Sequence, residues 1–314
     1  MPHSHHSHSG QFCAHAKGTL DEVVRAAIDK GFHTYGLSEH CPRYRDQDLY
    51  PEETAAGLDH QALTTTYELF LKEAHRLRVL YASSIDLLVG IETEYITELD
   101  LQGTAQLLAR SGDGCKIDYV VGSVHHVNEI PIDFDEPTFE RAIASFGSAD
   151  AQVNTTAFLC SYFDNQYELM TRLKPQVIGH FDLCRLYRPN LKFEEYESVW
   201  EKIKRNVDYG VEYGALFELN AAAFRKGWET SYPGPDVLNL IIQSGGRLCL
   251  SDDSHGPQAV GLNYHRLPGY LEAAGVKELW YLKRVTNSDT SKVEACRYEN
   301  DWALDPFWTI IQNS

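Results

Sequence analysis

Apolar residues along this chain keep switching between a helical period and short β-type runs. Val23, Val24, Ala27 and Ile28 share one helical face, opened by a capping box at Thr19 and Glu22 and stopped at Gly31. A β-type run over 34–38 follows, then a polar, Pro-flanked stretch over 41–57 that reads as a long loop. Tyr67, Phe70, Leu71, Ala74, Leu77 and Leu80 mark an amphipathic helix over 63–82. The alternation continues with a strand at 87–92, a helix through 101–109 and a strand at 119–125.

From 129 to 173 the rhythm is interrupted by turn signals at 131–135 and 147–150 and by a helical, aromatic-rich stretch at 157–173. It resumes at once with a strand at 176–180, so we read 129–173 as an enlarged, helical connection inside one domain spanning 1–314. Helix 193–209 leads to strand 215–220, and helix 235–244 to strand 247–251. A last helix at 266–274 precedes a run at 278–283 with no ligand-type residue at its end. With a first strand in the His-rich opening, seven strands end in polar or ligand-type side chains. This predicts an α/β fold, a distorted (β/α)7 barrel with its site at the C-terminal ends of the strands.

Composition narrows the function. The net charge of −17 argues against a nucleic-acid or anionic-membrane surface, yet allows a small phosphate ester, since metals and a few arginines can invert the charge locally. No apolar run reaches membrane-spanning length, and the polar first ten residues lack the core of a secretory signal. Seven cysteines without a CxxC pair read as reduced thiols. A soluble, cytoplasmic enzyme is expected, with no nucleic acid and no membrane as partner; the oligomeric state is left open.

The candidate chemistry sits at the strand ends. His6 and His8 alternate on the first strand, as Asp253 and His255 do on the last, and alternate residues share a face. His3 and His5 have the same spacing; the pair His6 and His8 is preferred because Ser9 and Gly10 then open the loop to His15. A short His-rich opening is also how a cloning tag reads, although this one runs straight into His15 and the first helix. His40, Glu92, His125 and His180 each follow a β-type run. Each alone reads as a structural histidine or acid; their recurrence at strand ends is what points to a site. His33, His60, His75 and His265 are assigned to the surface, and His126 to support of the pocket.

The candidate metal ligands are therefore His6, His8, His15, His40, Glu92, His125, His180, Asp253 and His255. Nine imply two or three ions, and an imidazole-rich set suits zinc, iron or manganese. Clustered divalent cations hold a phosphoryl group, make hydroxide from water and stabilise a leaving oxygen, so phosphate-ester hydrolysis is the expected reaction. Asp253 and His255 are the candidates for moving the proton. No GxSxG or P-loop motif offers a competing chemistry.

These motifs resemble the polymerase-and-histidinol-phosphatase (PHP) superfamily, and the segments at 3–10, 121–128, 130–135, 177–183 and 250–256 are similar to its fungal-type histidinol-phosphatases. The resemblance covers nearly the whole chain, although the stretch between His8 and His15 is one residue longer than the commoner bacterial pattern. It implies a trinuclear centre of three divalent ions, hydrolysis of L-histidinol phosphate in histidine biosynthesis, and phosphate-gripping arginines at Arg185 and Arg225. Arg43 and Lys226 are weaker candidates. Glu94, Asp182 or tyrosines of the 41–57 loop are open choices for the histidinol ammonium. The rival readings are a PHP-type phosphoesterase acting on another small ester or nucleotide, and a non-catalytic metal-binding protein with a PHP-like barrel.

Overall fold

A computed structural model describes residues 2–110, 116–287 and 290–312 of the chain. Seven parallel strands form one sheet in chain order: β1 (His3–Ser4), β2 (Thr34–Leu37), β3 (Asp86–Glu92), β4 (Tyr119–Gly122), β5 (Val177–Ile178), β6 (Leu216–Asn220) and β7 (Arg247–Ser251). Each pairs with its neighbour in parallel register, as in Leu216↔Arg247 through Asn220↔Ser251.

The seam between β1 and β7 is what distorts the barrel. Near β1, side chains stand in for backbone acceptors: His3 Nε2 takes the Leu250 N–H at 2.8 Å and Ser4 Oγ takes that of Asp252 at 3.1 Å. Further up, backbone pairing resumes, with Ser7–His8 parallel to Ser254–His255. This extension sets His8 beside His255 at the strand ends.

Helices such as Leu20–Asp29, His60–Leu80, Ala151–Leu173 and Glu197–Tyr213 shelter the outer face of the strands. The first begins at the expected capping box, with Thr19 Oγ1 accepting the Glu22 N–H. Inside the barrel Leu88, Tyr119, Val121, Val177, Leu216 and Cys249 pack with Leu282. The Tyr119 ring fits only because Gly36 and Gly90 face it; a Cβ there would come within 2.1 Å and 2.5 Å of its atoms. Among the described residues no helix is long and apolar enough to cross a membrane.

The sequence leaves the run at 278–283 out of the seven barrel strands, as the structure does, whereas the strand at 119–125 and the loop at 41–57 differ from expectation. The run at 278–283 is the start of an antiparallel hairpin, Trp280–Asn287 with Thr290–Arg297, which lies outside the barrel sheet. Leu282 plugs the barrel floor, and its N–H donates to His5 Nε2 at 2.9 Å. The strand expected over 119–125 ends at Gly122, because Ser123 exchanges hydrogen bonds with Thr93 Oγ1 instead of a strand backbone. The 41–57 loop folds locally into Asp46–Asp48 and Pro51–Ala55. The connection at 129–173 carries two helices, Glu136–Ala144 and Ala151–Leu173.

Candidate metal centre

Strand alternation delivers acids to the barrel mouth. On β3, Leu88 packs in the interior, Gly90 faces Tyr119, and Glu92 comes next on the same face, 1% exposed. On β6 the same rule carries Leu216, Glu218 and Asn220 inward.

Glu92 is the hub. Its Oε1 lies 3.0 Å from His6 Nε2, 3.3 Å from His125 Nε2 and 3.1 Å from His180 Nε2. Its Oε2 lies 3.3 Å from His8 Nε2 and 2.9 Å from His40 Nδ1. Asp253 Oδ1 is 3.7 Å from His6 Nε2 and 3.6 Å from His8 Nε2. Among the described residues, ligand-type atoms gather within 4.8 Å of one another in overlapping groups: His6, His8 and Glu92; Glu92, His125 and His180; His6, His180 and Asp253; His8, Asp253 and His255; and Cys13, His15, His40 and His255. All nine candidate ligands fall in this set. His3 and His5 do not; their rings accept the backbone N–H groups of Leu250 and Leu282.

Outer partners aim the rings. His6 Nδ1 faces Glu218 at 3.2 Å, His125 Nδ1 faces Glu94 at 3.2 Å, His15 Nδ1 faces Glu52 at 3.1 Å, and His8 Nδ1 lies 3.5 Å from Glu39. A carboxylate behind the ring fixes the orientation and leaves Nε2 pointing inward, as metal-ligating histidines require. Asp253 holds a left-handed backbone, φ 45°, which a non-glycine residue adopts at a cost of about 1–3 kcal/mol and which recurs at functional sites.

The donor set fits divalent cations. His6 Nε2, His8 Nε2, Glu92 Oε2 and both ring nitrogens of His40 are buried in close approach to one another but without an aligned hydrogen bond. So many unsatisfied buried groups, converging on one point, are costly unless an ion fills the space. Burial opposes charge on His6, but Glu92, Asp253 and Glu218 outweigh it and raise its pKa well above the usual value. On His8, burial is likewise outweighed by Glu39 and Glu92, which push the pKa up to about 9. His40 goes the other way, to about 4, through burial and the neighbouring His8. Glu92 and Asp253 are buried, yet the imidazoles, His6 foremost, hold both carboxyls well below the usual range. The acids thus stay ionised and available as ligands.

A cavity of about 770 Å³ opens onto this cluster. Its wall includes His15, His40, His125, His180, Asp253 and His255, with Lys17, Arg225 and Lys226 as cations and Glu52 and Asp133 as acids. A second cavity of about 580 Å³ at the opposite end, lined by Pro2, Tyr281 and Phe307, lies outside every ligand-type group.

The structure separates the sequence-predicted arginines. Arg225 is exposed at the cavity wall, its polar contact a 3.5 Å approach to the Asp253 carbonyl. Arg185 is 3% exposed and absent from that wall. Asp182 and Asp236 each take two of its N–H groups, at 2.6–2.9 Å, and Leu191 accepts another at 3.0 Å. Arg43 and Glu94 are also buried: Arg43 pairs with Glu53, and Glu94 backs His125 and the Tyr50 hydroxyl. Asp182, 0% exposed, is occupied by Arg185 and the Gly234 N–H. The sequence places Glu39 and Glu218 at strand ends without a place among the ligands, and gives no role to Cys13, Lys17 or Asp133. For Glu218 the signal was there, two residues before Asn220 on an inward-facing strand.

The family model described as PHP domain matches residues 4–222. A Schizosaccharomyces pombe protein described as probable histidinol-phosphatase is 44% identical over 306 residues, 96% of each chain. The Saccharomyces cerevisiae histidinol-phosphatase is 33% identical over 341 residues, covering 98% of this chain and 100% of its own. In fold, the chain resembles the histidinol phosphate phosphatase of Lactococcus lactis, solved with zinc, L-histidinol and phosphate. The TM-score is 0.61 at 20% identity, over 89% of this chain and 95% of that one. By a family match across most of its length and by near-full-length identity to the yeast enzymes, this chain belongs to the PHP-domain family, in its histidinol-phosphatase group.

Proposed function

We propose that this protein is a histidinol-phosphatase, a phosphoric monoester hydrolase that converts L-histidinol phosphate to L-histidinol and phosphate in histidine biosynthesis. The observation that carries the reading is the convergence of nine His, Glu and Asp side chains on one cavity whose wall also bears Arg225, Lys226 and Lys17. Near-full-length likeness to histidinol-phosphatases names the substrate.

His6, His8, His15, His40, Glu92, His125, His180, Asp253 and His255 would hold three divalent ions, of zinc, iron or manganese. Bound there, such ions polarise the phosphoryl oxygens and supply a nucleophile from water. The chain's own side chains do the rest. Arg225 offers a guanidinium for two-point contact with the phosphate, and Lys226 and Lys17 add charge along the same wall. Arg185 positions that wall: paired with Asp182 and Asp236, it ties the loop after β5 to the helix Pro235–Gln243. Asp253 and His255 stand at the wall, placed to take the proton of the attacking water and return it to the leaving alkoxide. With Glu94 and Asp182 buried, Glu52 and Asp133 are the acids open to the substrate ammonium.

Phosphate release from L-histidinol phosphate, measured beside sugar phosphates and nucleoside monophosphates, tests the assignment. A kcat/KM highest on L-histidinol phosphate is expected. A preference for a nucleotide or sugar ester would move the protein to a different phosphoesterase activity of the same family.

A further inference from the structure

Three of the candidate ligands, His15, His40 and His255, form a group that a fourth side chain joins. Cys13 is 6% exposed, and its Sγ lies 3.2 Å from His15 Nε2. Donor atoms of Cys13, His15, His40 and His255 all lie within 4.8 Å of one another. His40 Nε2 is buried there without a hydrogen-bond partner. Of the described cysteines, only Cys13 belongs to such a group.

The loop fixes the sulfur in place. Cys13 N–H donates to Ser9 O at 2.9 Å, Ala16 N–H to Cys13 O at 3.1 Å, and Gly10 N–H to Lys17 O at 3.2 Å. Lys17 N–H in turn donates to His255 O at 3.1 Å, tying the loop to the strand that carries His255. A Cβ on Gly10 would meet Lys17 Cα at 2.7 Å, so the loop closes this tightly only with glycine there.

From this geometry we infer that Cys13 is a ligand of the metal centre, the fourth donor to the ion held by His15, His40 and His255. The inference rests on the reading of the cavity as a metal site. Three imidazoles leave a tetrahedral ion one donor short, and Zn–N and Zn–S bonds place neighbouring donors about 3.6 Å apart, close to the separation seen here. A free cysteine sulfur carries a proton near neutral pH. The incoming cation displaces that proton to solvent and takes a thiolate in exchange, with no change of oxidation state. A soft donor at this one position favours zinc over manganese there, while the oxygen-richer groups around Glu92 and Asp253 accept either.

Reconstitution with cobalt(II) reads the bond directly. The wild-type cobalt protein should show a thiolate-to-cobalt charge-transfer band in the near ultraviolet. Cys13→Ser should lose that band and keep the visible bands of cobalt bound elsewhere. Cobalt bound by elemental analysis without a charge-transfer band in the wild type would overturn the inference, as would a band unchanged in Cys13→Ser; either outcome leaves the metal-centre reading standing. A protein that retains no divalent ion after reconstitution would remove the metal centre and this ligand together. The wild-type spectrum alone is decisive should Cys13→Ser fold poorly.

Discussion

Replacing Arg185 with Met separates a structural arginine from a substrate-binding one. The substitution removes a guanidinium held by Asp182 and Asp236 and stacked 4.4 Å from the Phe193 ring centre. It leaves Asp182, 0% exposed and with its pKa already raised by burial, with only the Gly234 N–H at 2.8 Å. Breaking one partner out of a buried ion pair costs about 3–5 kcal/mol. An unfolding entropy of about 2.1 cal/mol/K per residue gives this chain roughly 0.66 kcal/mol/K, so Tm should fall by about 5–8 °C. Arg225→Met, at an exposed position, should leave Tm within about 1 °C while kcat/KM falls about 10–150-fold. Thermal melts followed by circular dichroism and a phosphate-release assay give both numbers. An Arg185→Met protein with wild-type Tm and lost activity would refute the reasoning and return Arg185 to the phosphate.

Three further outcomes follow from the same contacts. His125→Ala and Asp253→Ala should each cut turnover by orders of magnitude, while His75→Ala, a half-buried helix position outside the cavity, should leave it unchanged; equal losses at all three would contradict the site. Glu218→Gln, which weakens the acceptor behind His6 Nδ1, should lower metal affinity about 10–100-fold in a chelator competition; an unchanged affinity would show that Glu218 does not orient His6. His5 carries a pH signature. Burial, with His3 beside it, lowers its pKa well below the usual value, so the unfolded chain takes up the proton first. Its contribution is therefore intact above about pH 6.5 and lost as pH falls below it, by up to about 1.4 kcal/mol per unit. The stability difference between wild type and His5→Gln should shrink across that range in urea melts, and a flat difference would mean that His5 is not held neutral.

The barrel was legible because each strand announces its own end. A β-type run that stops at His40, Glu92 or His180 carries both the strand and the candidate ligand, so fold and cluster are read from the same residues. Arg185 was not legible in this way. Its partners are Asp182, three residues away, and Asp236, fifty-one residues away, and only the folded loop shows that they consume the guanidinium. Glu94 reads like Glu92 two residues earlier, but the chain has left β3 by then, and the side chain turns behind His125. The run at 278–283 ends in no ligand-type residue and so stands outside the seven-strand count; its partner is the strand Thr290–Arg297, and its task is to bury Leu282 in the floor. His3 and His5 copy the spacing of His6 and His8, yet backbone N–H groups at the seam and the floor occupy them.

Metal removal tests the central claim most directly. Protein stripped by a strong chelator, its metal content checked by elemental analysis, should release no phosphate from L-histidinol phosphate. It should also melt at a lower temperature, because ions bound to the native state add to its stability. Adding back zinc or manganese should restore both activity and Tm, with close to three ions per chain in the restored protein. Turnover at the original rate in protein verified to be metal-free would contradict the account.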